Sequence, residues 1–256
     1  MLKIENICFA YSDKKVLDNI SLSLSSGEFV AVLGANGAGK STLMKIASGY
    51  LKSKSGTVLL KNKDILKYSP SGLAKERAVL EQESPLEFNY TVIDTVCLGR
   101  FAMSGFWGID KKSKDIAEKA LCRVGLSGFE NKQYLELSGG EKRRVQLARV
   151  LAQIQEEPKN KILMLDEPTA NLDPKYTHET MRLCKDLCRR GAACIAVVHS
   201  VNLAMKYADK VALLKSGKLL AFGRTNDVLT EENISNLYDM HCKILQTSDS
   251  RIVELS

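Results

Sequence analysis

The chain has 256 residues and a mass of 28.3 kDa, with 45% apolar and 26% charged residues. That is ordinary globular composition at a length that buries a full core without disulfides or metals, and it excludes a disordered, collagen-like or coiled-coil chain. The net charge of +7 permits an acidic partner but is spread over short runs: Lys111-Lys112, Lys142-Arg143-Arg144 and Arg189-Arg190. Each run reads as solvated surface, because nucleic-acid readers concentrate basic residues on one face; no nucleic-acid partner is expected.

Three β runs open the chain. Lys3–Ala10 and Asp18–Ser25 alternate, the second with Ile20, Leu22 and Leu24 on one face, and Glu28–Leu33 is almost continuously apolar, as a strand buried on both faces should be. The start at Met1–Asn6 reads as strand, not as a secretory leader. A Gly-rich turn leads into a predicted helix over Ser41–Tyr50, and Thr57–Leu60 is again β-like. From about residue 87 to 135 the pattern becomes helical, with turn glycines at 99, 105, 108, 125 and 128. We read an inserted helical subdomain over about 87–150. Strands return at Ile162–Leu165, Ala193–Val198 and Val211–Leu214, separated by helical segments. Such alternation implies an α/β parallel sheet. No run of about 18 apolar residues offers a membrane span. The tail from about Asn236 is polar, and 241–256 is set apart from a single domain over 1–240.

The seven cysteines include no C-x-x-C, so a disulfide framework is not expected and free thiols are. Cys184 and Cys188, four apart on a helix with Met181, read as core.

Gly34-Ala35-Asn36-Gly37-Ala38-Gly39-Lys40-Ser41 fits G-x-x-x-x-G-K-[ST], after a strand and before a helix. Glycines let successive N–H groups turn inward around phosphate oxygens, Lys40 adds a positive charge, and the Ser41 hydroxyl can ligate Mg²⁺. The dinucleotide pattern G-x-G-x-x-G fails, since Thr occupies position 42. Ile162–Leu165 runs into Asp166 and Glu167, which places two carboxylates at the C-terminal end of a strand. Asp166 suits Mg²⁺ and Glu167 suits a general base toward water. Leu137-Ser138-Gly139-Gly140-Glu141 opens a charged helix over Lys142–Gln153. Ser138 can cap it, and its bare N–H groups make a second phosphate site.

Taken in order, these segments with Asn171-Leu172-Asp173 and His199 resemble the ATP-binding-cassette family over about residues 2–240. The resemblance implies a P-loop NTPase cassette with a RecA-like parallel core, an N-terminal antiparallel β subdomain and an inserted helical subdomain. It implies ATP and Mg²⁺, bound between two copies of the chain: Gly34–Thr42 of one copy and Leu137–Glu141 of the other. By position, Tyr11 and Val16 match the adenine contact, and Gln82 the glutamine that reaches Mg²⁺ and water. Asp173 matches the loop that communicates between copies, and His199 the γ-phosphate histidine. Three departures concern coupling more than hydrolysis: Glu141-Lys142 after Ser-Gly-Gly, Ser200 after the histidine, and Glu81 before Gln82.

A single cassette without a long coiled-coil insertion is similar to a transporter subunit. Arg77–Arg100 and Val145–Gln153 resemble the importers of iron complexes, cobalamin and haem. The Ala148–Gln153 run followed by Ile154–Asn160 resembles haem importers most, with ferric siderophore or cobalamin as the alternative cargo. Partners implied are transmembrane permease subunits and, indirectly, a substrate-binding protein, at the cytoplasmic face of the inner membrane. A P-loop small-molecule kinase and a nucleic-acid ATPase are the different-class alternatives.

Overall fold

The computed structural model describes residues 1–82, 89–103, 110–246 and 251–256. Part of the Gln82–Arg100 stretch, and both Gly105 and Gly108, lie outside the described residues. In chain order the strands are β1 (Leu2–Tyr11), β2 (Lys14–Leu24), β3 (Phe29–Leu33), β4 (Ser55–Leu60), β5 (Lys63–Asp64), β6 (Arg77–Leu80), β7 (Ile162–Asp166), β8 (Ala193–Val197), β9 (Lys210–Lys215), β10 (Lys218–Arg224), β11 (Cys242–Gln246) and β12 (Arg251–Leu255). The helices are α1 (Lys40–Ala47), α2 (Pro70–Glu76), α3 (Val92–Cys97), α4 (Lys111–Arg123), α5 (Gly139–Ile154), α6 (Pro174–Arg189), α7 (Val201–Tyr207), α8 (Thr225–Val228) and α9 (Glu231–Tyr238).

Six strands form the central sheet in the order β10-β9-β3-β8-β7-β6, parallel except for β10. Its middle strands carry apolar residues at every position because both faces are covered. Phe29, Ala31 and Leu33 face one core, shared with α3 to α7, while Val30 and Val32 face the other, shared with α1 and the N-terminal sheet. That second sheet is antiparallel, in the order β2-β1-β4-β5. Helices α3, α4 and α5 pack on one another and on the first core.

Three expectations shift. Helix α1 ends at Ala47, and Gly49 turns the chain with a positive φ of 77° instead of continuing to Tyr50. Strand β2 begins at Lys14, well before Asp18, as the second arm of a hairpin with β1. The polar tail forms a β11–β12 hairpin, held to α7 by Asn202, whose amide exchanges hydrogen bonds with the backbone of Val253. All seven cysteines are free, and Cys184, Cys188 and Cys194 are buried in the first core.

Candidate functional site

Parallel strands bring four separate segments to one edge. The Gly-rich loop follows β3, Gln82 follows β6, Asp166 and Glu167 end β7, and His199 follows β8. Because β3, β8, β7 and β6 are consecutive neighbours, their C-terminal ends open on one crevice, where α/β sheets bind ligands. A cavity of 440 Å³ lies there, lined by Val16, Asn36, Gly37, Gly39, Lys40, Ser41, Thr42, Gln82, Glu167 and His199.

Two glycines of the loop are required by geometry. A Cβ on Gly34 would meet the Leu214 carbonyl oxygen at 2.2 Å, and Gly39 has φ of 100° with Val16 and Leu17 pressed against it. The ammonium of Lys40 is buried and donates to the carbonyls of Gly34 at 2.8 Å and Ala35 at 2.9 Å. Burial lowers its pKa, against the opposing pull of Glu167 and Asp166. Ala38 is buried, and its N–H closes a turn onto Ala35. Tyr11 stands outside the cavity lining, half-exposed and packed edge-on against Phe9 at 4.8 Å between ring centroids.

The acidic pair divides into two environments. Asp166 is buried, which pushes its carboxyl pKa up; Ser41, hydrogen-bonded to it, pulls the other way. Its Oδ1 is buried with no hydrogen-bond partner. An orphaned anionic oxygen beside a serine hydroxyl fits a hard divalent cation. Among the described residues no cluster of three or more His, Cys, Asp or Glu could hold a metal by itself. A cation here would therefore draw its remaining ligands from phosphate, water and a neutral side chain such as Gln82. Glu167 has a left-handed backbone, φ 52°, and its two oxygens reach apart: Oε1 to His199 Nε2 at 2.8 Å, Oε2 to Gln82 Nε2 at 3.4 Å.

Ser138, Gly139, Gly140 and Asp173 do not line this cavity. They form a second group, with Gly140 close against the Asn171 carbonyl. Ser138 is the N-cap of α5 in a reciprocal capping box with Glu141, whose carboxylate accepts from the Ser138 hydroxyl at 2.7 Å and from its N–H at 2.8 Å. That bonding lowers the Glu141 pKa. Asp173 caps α6 by accepting from the Tyr176 N–H at 3.0 Å. Glu141 and Ser200, both departures from the family pattern, thus have local roles: Ser200 caps α7.

The reading of Lys142-Arg143-Arg144 as a solvated face needs correction. Arg143 turns inward, its guanidinium bonded to main-chain oxygens beside Gln82 and Glu167. Arg144 stacks on Tyr176, 3.9 Å from the ring centroid, and donates to the carbonyls of Val124 and Gly125. Nothing in the sequence sets Arg143 apart from its basic neighbours; the carbonyls beside β6 and β7 do.

The ABC transporter family model matches residues 17–170. The hemin import ATP-binding protein HmuV of Deinococcus radiodurans is 41% identical over 96% of this chain and 92% of its own length. That of Agrobacterium fabrum is 36% identical over 93% and 91%. Among solved structures, a metal-chelate type ABC transporter in an inward-facing conformation superposes with a TM-score of 0.81 at 26% identity, covering 100% of this chain and 96% of that one. A dimeric bacterial ABC transporter cassette gives 0.79 at 27% identity, covering 88% and 99%.

Proposed function

From the ABC transporter family, to which this chain belongs, we propose that it is the ATP-hydrolysing subunit that powers a membrane importer of haem. The cargo reading is carried by one observation: several relatives, 36–41% identical over more than nine-tenths of the chain, are hemin import ATP-binding proteins. Ferric siderophore or cobalamin import is the nearest alternative. No helix among the described residues is long and apolar enough to cross a membrane. In this reading permease subunits supply the membrane path, and this chain works against them from the cytoplasmic face.

Each residue's part follows from its place. The loop Gly34–Thr42 cradles the phosphates, with Lys40 leaving the loop carbonyls to neutralise them. Val16 borders the base side of the cavity, and Tyr11, half-exposed beyond it, is free to stack on adenine. Ser41 and Asp166, with Gln82, would hold Mg²⁺, which neutralises charge on the β- and γ-phosphates when bound. Glu167, least exposed of its trio, accepts the proton of an attacking water; His199 and Gln82 hold its two oxygens in place. Phosphoryl transfer needs positioning and charge complementarity above all, and the site supplies these.

The second group completes the site from another copy. Gly139 supports this. A Cβ there would meet nothing within 4 Å, and its φ is not positive, so its own chain has no need of glycine at that position. Close approach of a phosphate held by a second copy does need it. Ser138, Gly139, Gly140 and Asp173 then face the nucleotide bound by the partner's loop, and closure of the pair on ATP drives the permease. A substrate-binding protein delivers cargo on the far side.

Reconstitution tests the cargo. With its cognate permease and binding protein in vesicles, ATPase turnover should rise more with haem-loaded binding protein than with a ferric siderophore or cobalamin. Stimulation by siderophore alone would overturn haem as the cargo and leave the ATPase intact.

A further inference from the structure

Arg143 sits in the first turns of α5, five residues beyond the Ser138 cap, and its guanidinium ends among four backbone oxygens. One terminal nitrogen donates to the carbonyls of Glu81 at 2.7 Å and Gln82 at 3.1 Å. The other donates to the carbonyl of Asp166 and, at 2.7 Å, to that of Glu167. These oxygens come in two pairs, each just past the point where the β6–β7 ladder stops at Leu80 and Leu165. Arg143 therefore bridges the two strands where their own hydrogen bonds end. Only a guanidinium matches this pattern: it is planar and always charged, and its donors leave in a rigid fork, whereas an ammonium is a single point.

What the bridge holds is the reacting edge. Gln82 lies two residues past the end of β6 and Glu167 directly follows β7, and Glu167 keeps a left-handed backbone that is costly for a non-glycine residue unless its surroundings hold it. The bond to the Glu167 carbonyl is one such constraint. The titratable groups that act on the guanidinium are Asp166, Glu167 and the phenol of Tyr134.

Resting on the assignment of Glu167 as the group that orients water, we propose that Arg143 is a positioning residue for hydrolysis, fixing the Gln82 and Glu167 peptides against each other and tying both to the helix that begins at Ser138. It does not line the nucleotide cavity. It acts through Glu167 and Gln82, and it gives α5 a direct mechanical link to the hydrolytic carboxylate. A displacement of α5, whose N-terminus serves the partner's nucleotide, reaches Glu167 through one hydrogen bond to its own carbonyl and one to that of Asp166 before it.

The test uses the full chain with Arg143→Lys, Arg143→Ala and, in parallel, Glu167→Gln. A fluorescent ATP analogue with Mg²⁺ gives the affinity and the number of binding sites, and hydrolysis is expressed per occupied site. We expect both Arg143 variants to bind nucleotide within about three-fold of the parent and to turn over at least ten-fold more slowly per occupied site. Lysine should fail to rescue because it cannot fork. Millimolar methylguanidinium should restore part of the Arg143→Ala rate and none of the Glu167→Gln rate. If Arg143→Ala does not fold, Arg143→Lys decides alone. Turnover per occupied site within two-fold of the parent would overturn the proposal, as would equal losses of affinity and rate, which mark a purely structural role. Full turnover by Glu167→Gln would instead remove the assignment on which the proposal rests, a result separable from either Arg143 outcome.

Discussion

Glu167 Oε1 lies 2.8 Å from His199 Nε2, across the ends of the adjacent strands β7 and β8. The histidine side chain is about half exposed and the glutamate 14% exposed, and both line the cavity. Replacing His199 with alanine should free Glu167 while leaving the phosphate loop intact. We expect at least a ten-fold fall in kcat, equivalent to about 1.4 kcal/mol of barrier, with the ATP KM changed less than three-fold. A KM that rises as far as kcat falls would place His199 in nucleotide binding instead.

Lys40 behaves differently. It is the one Lys or Arg lining the cavity among the described residues, and charge-assisted bonds contribute about 1.5–3 kcal/mol. Lys40→Ala should therefore weaken ATP binding by roughly 10- to 100-fold. Titration with a fluorescent nucleotide checks this, and unchanged affinity would contradict the phosphate role.

Gly139 offers a separation of folding from function. Within its own chain an alanine there meets open space at the first position of α5, and Gly→Ala at a compatible backbone position stabilises by roughly 0.4–1 kcal/mol by restricting the unfolded chain. Gly139→Ala should keep or raise Tm and still lose most ATPase activity. Retained activity would mean that nothing approaches this face during turnover.

Asp166 carries a stability signature. Burial raises its carboxyl pKa above the ordinary value, so between that value and the raised one the native chain binds more protons than the unfolded chain. Its contribution is thus present at acid pH and is lost as pH rises through the folded pKa. Asp166→Asn should exceed the parent in Tm at pH 8 and lose that advantage toward acid pH, while abolishing Mg²⁺-dependent hydrolysis. Thermal melts across pH without nucleotide test it; a variant no more stable at pH 8 would refute the charge cost.

Much of this was legible from sequence because the chemistry demands particular residue types. A phosphate-wrapping loop needs glycine at 34 and 39, and an apolar strand ending in Asp166-Glu167 has few other uses. The alternation of strand and helix then fixes which ends share a crevice. What escaped was context-dependent. Strand β6 is four residues long and opens with an arginine, too short for a period to register. The β11–β12 hairpin buries little beyond Cys242 and Val253, so its composition stays polar. Arg143 sits in a basic run that looks like surface, and only the carbonyls gathered beside β6 and β7 reveal its direction. Ser138 and Asp173 were readable as helix caps and as ATP contacts alike, and one chain displays the caps.

The central claim is that two copies of this chain build each ATP site between them. Glu167→Gln, which should bind ATP without consuming it, makes that state accumulate. Light scattering on this variant should give the mass of one chain without nucleotide and of two chains with ATP and Mg²⁺. A single mass in both conditions, with nucleotide shown to be bound, would contradict the claim.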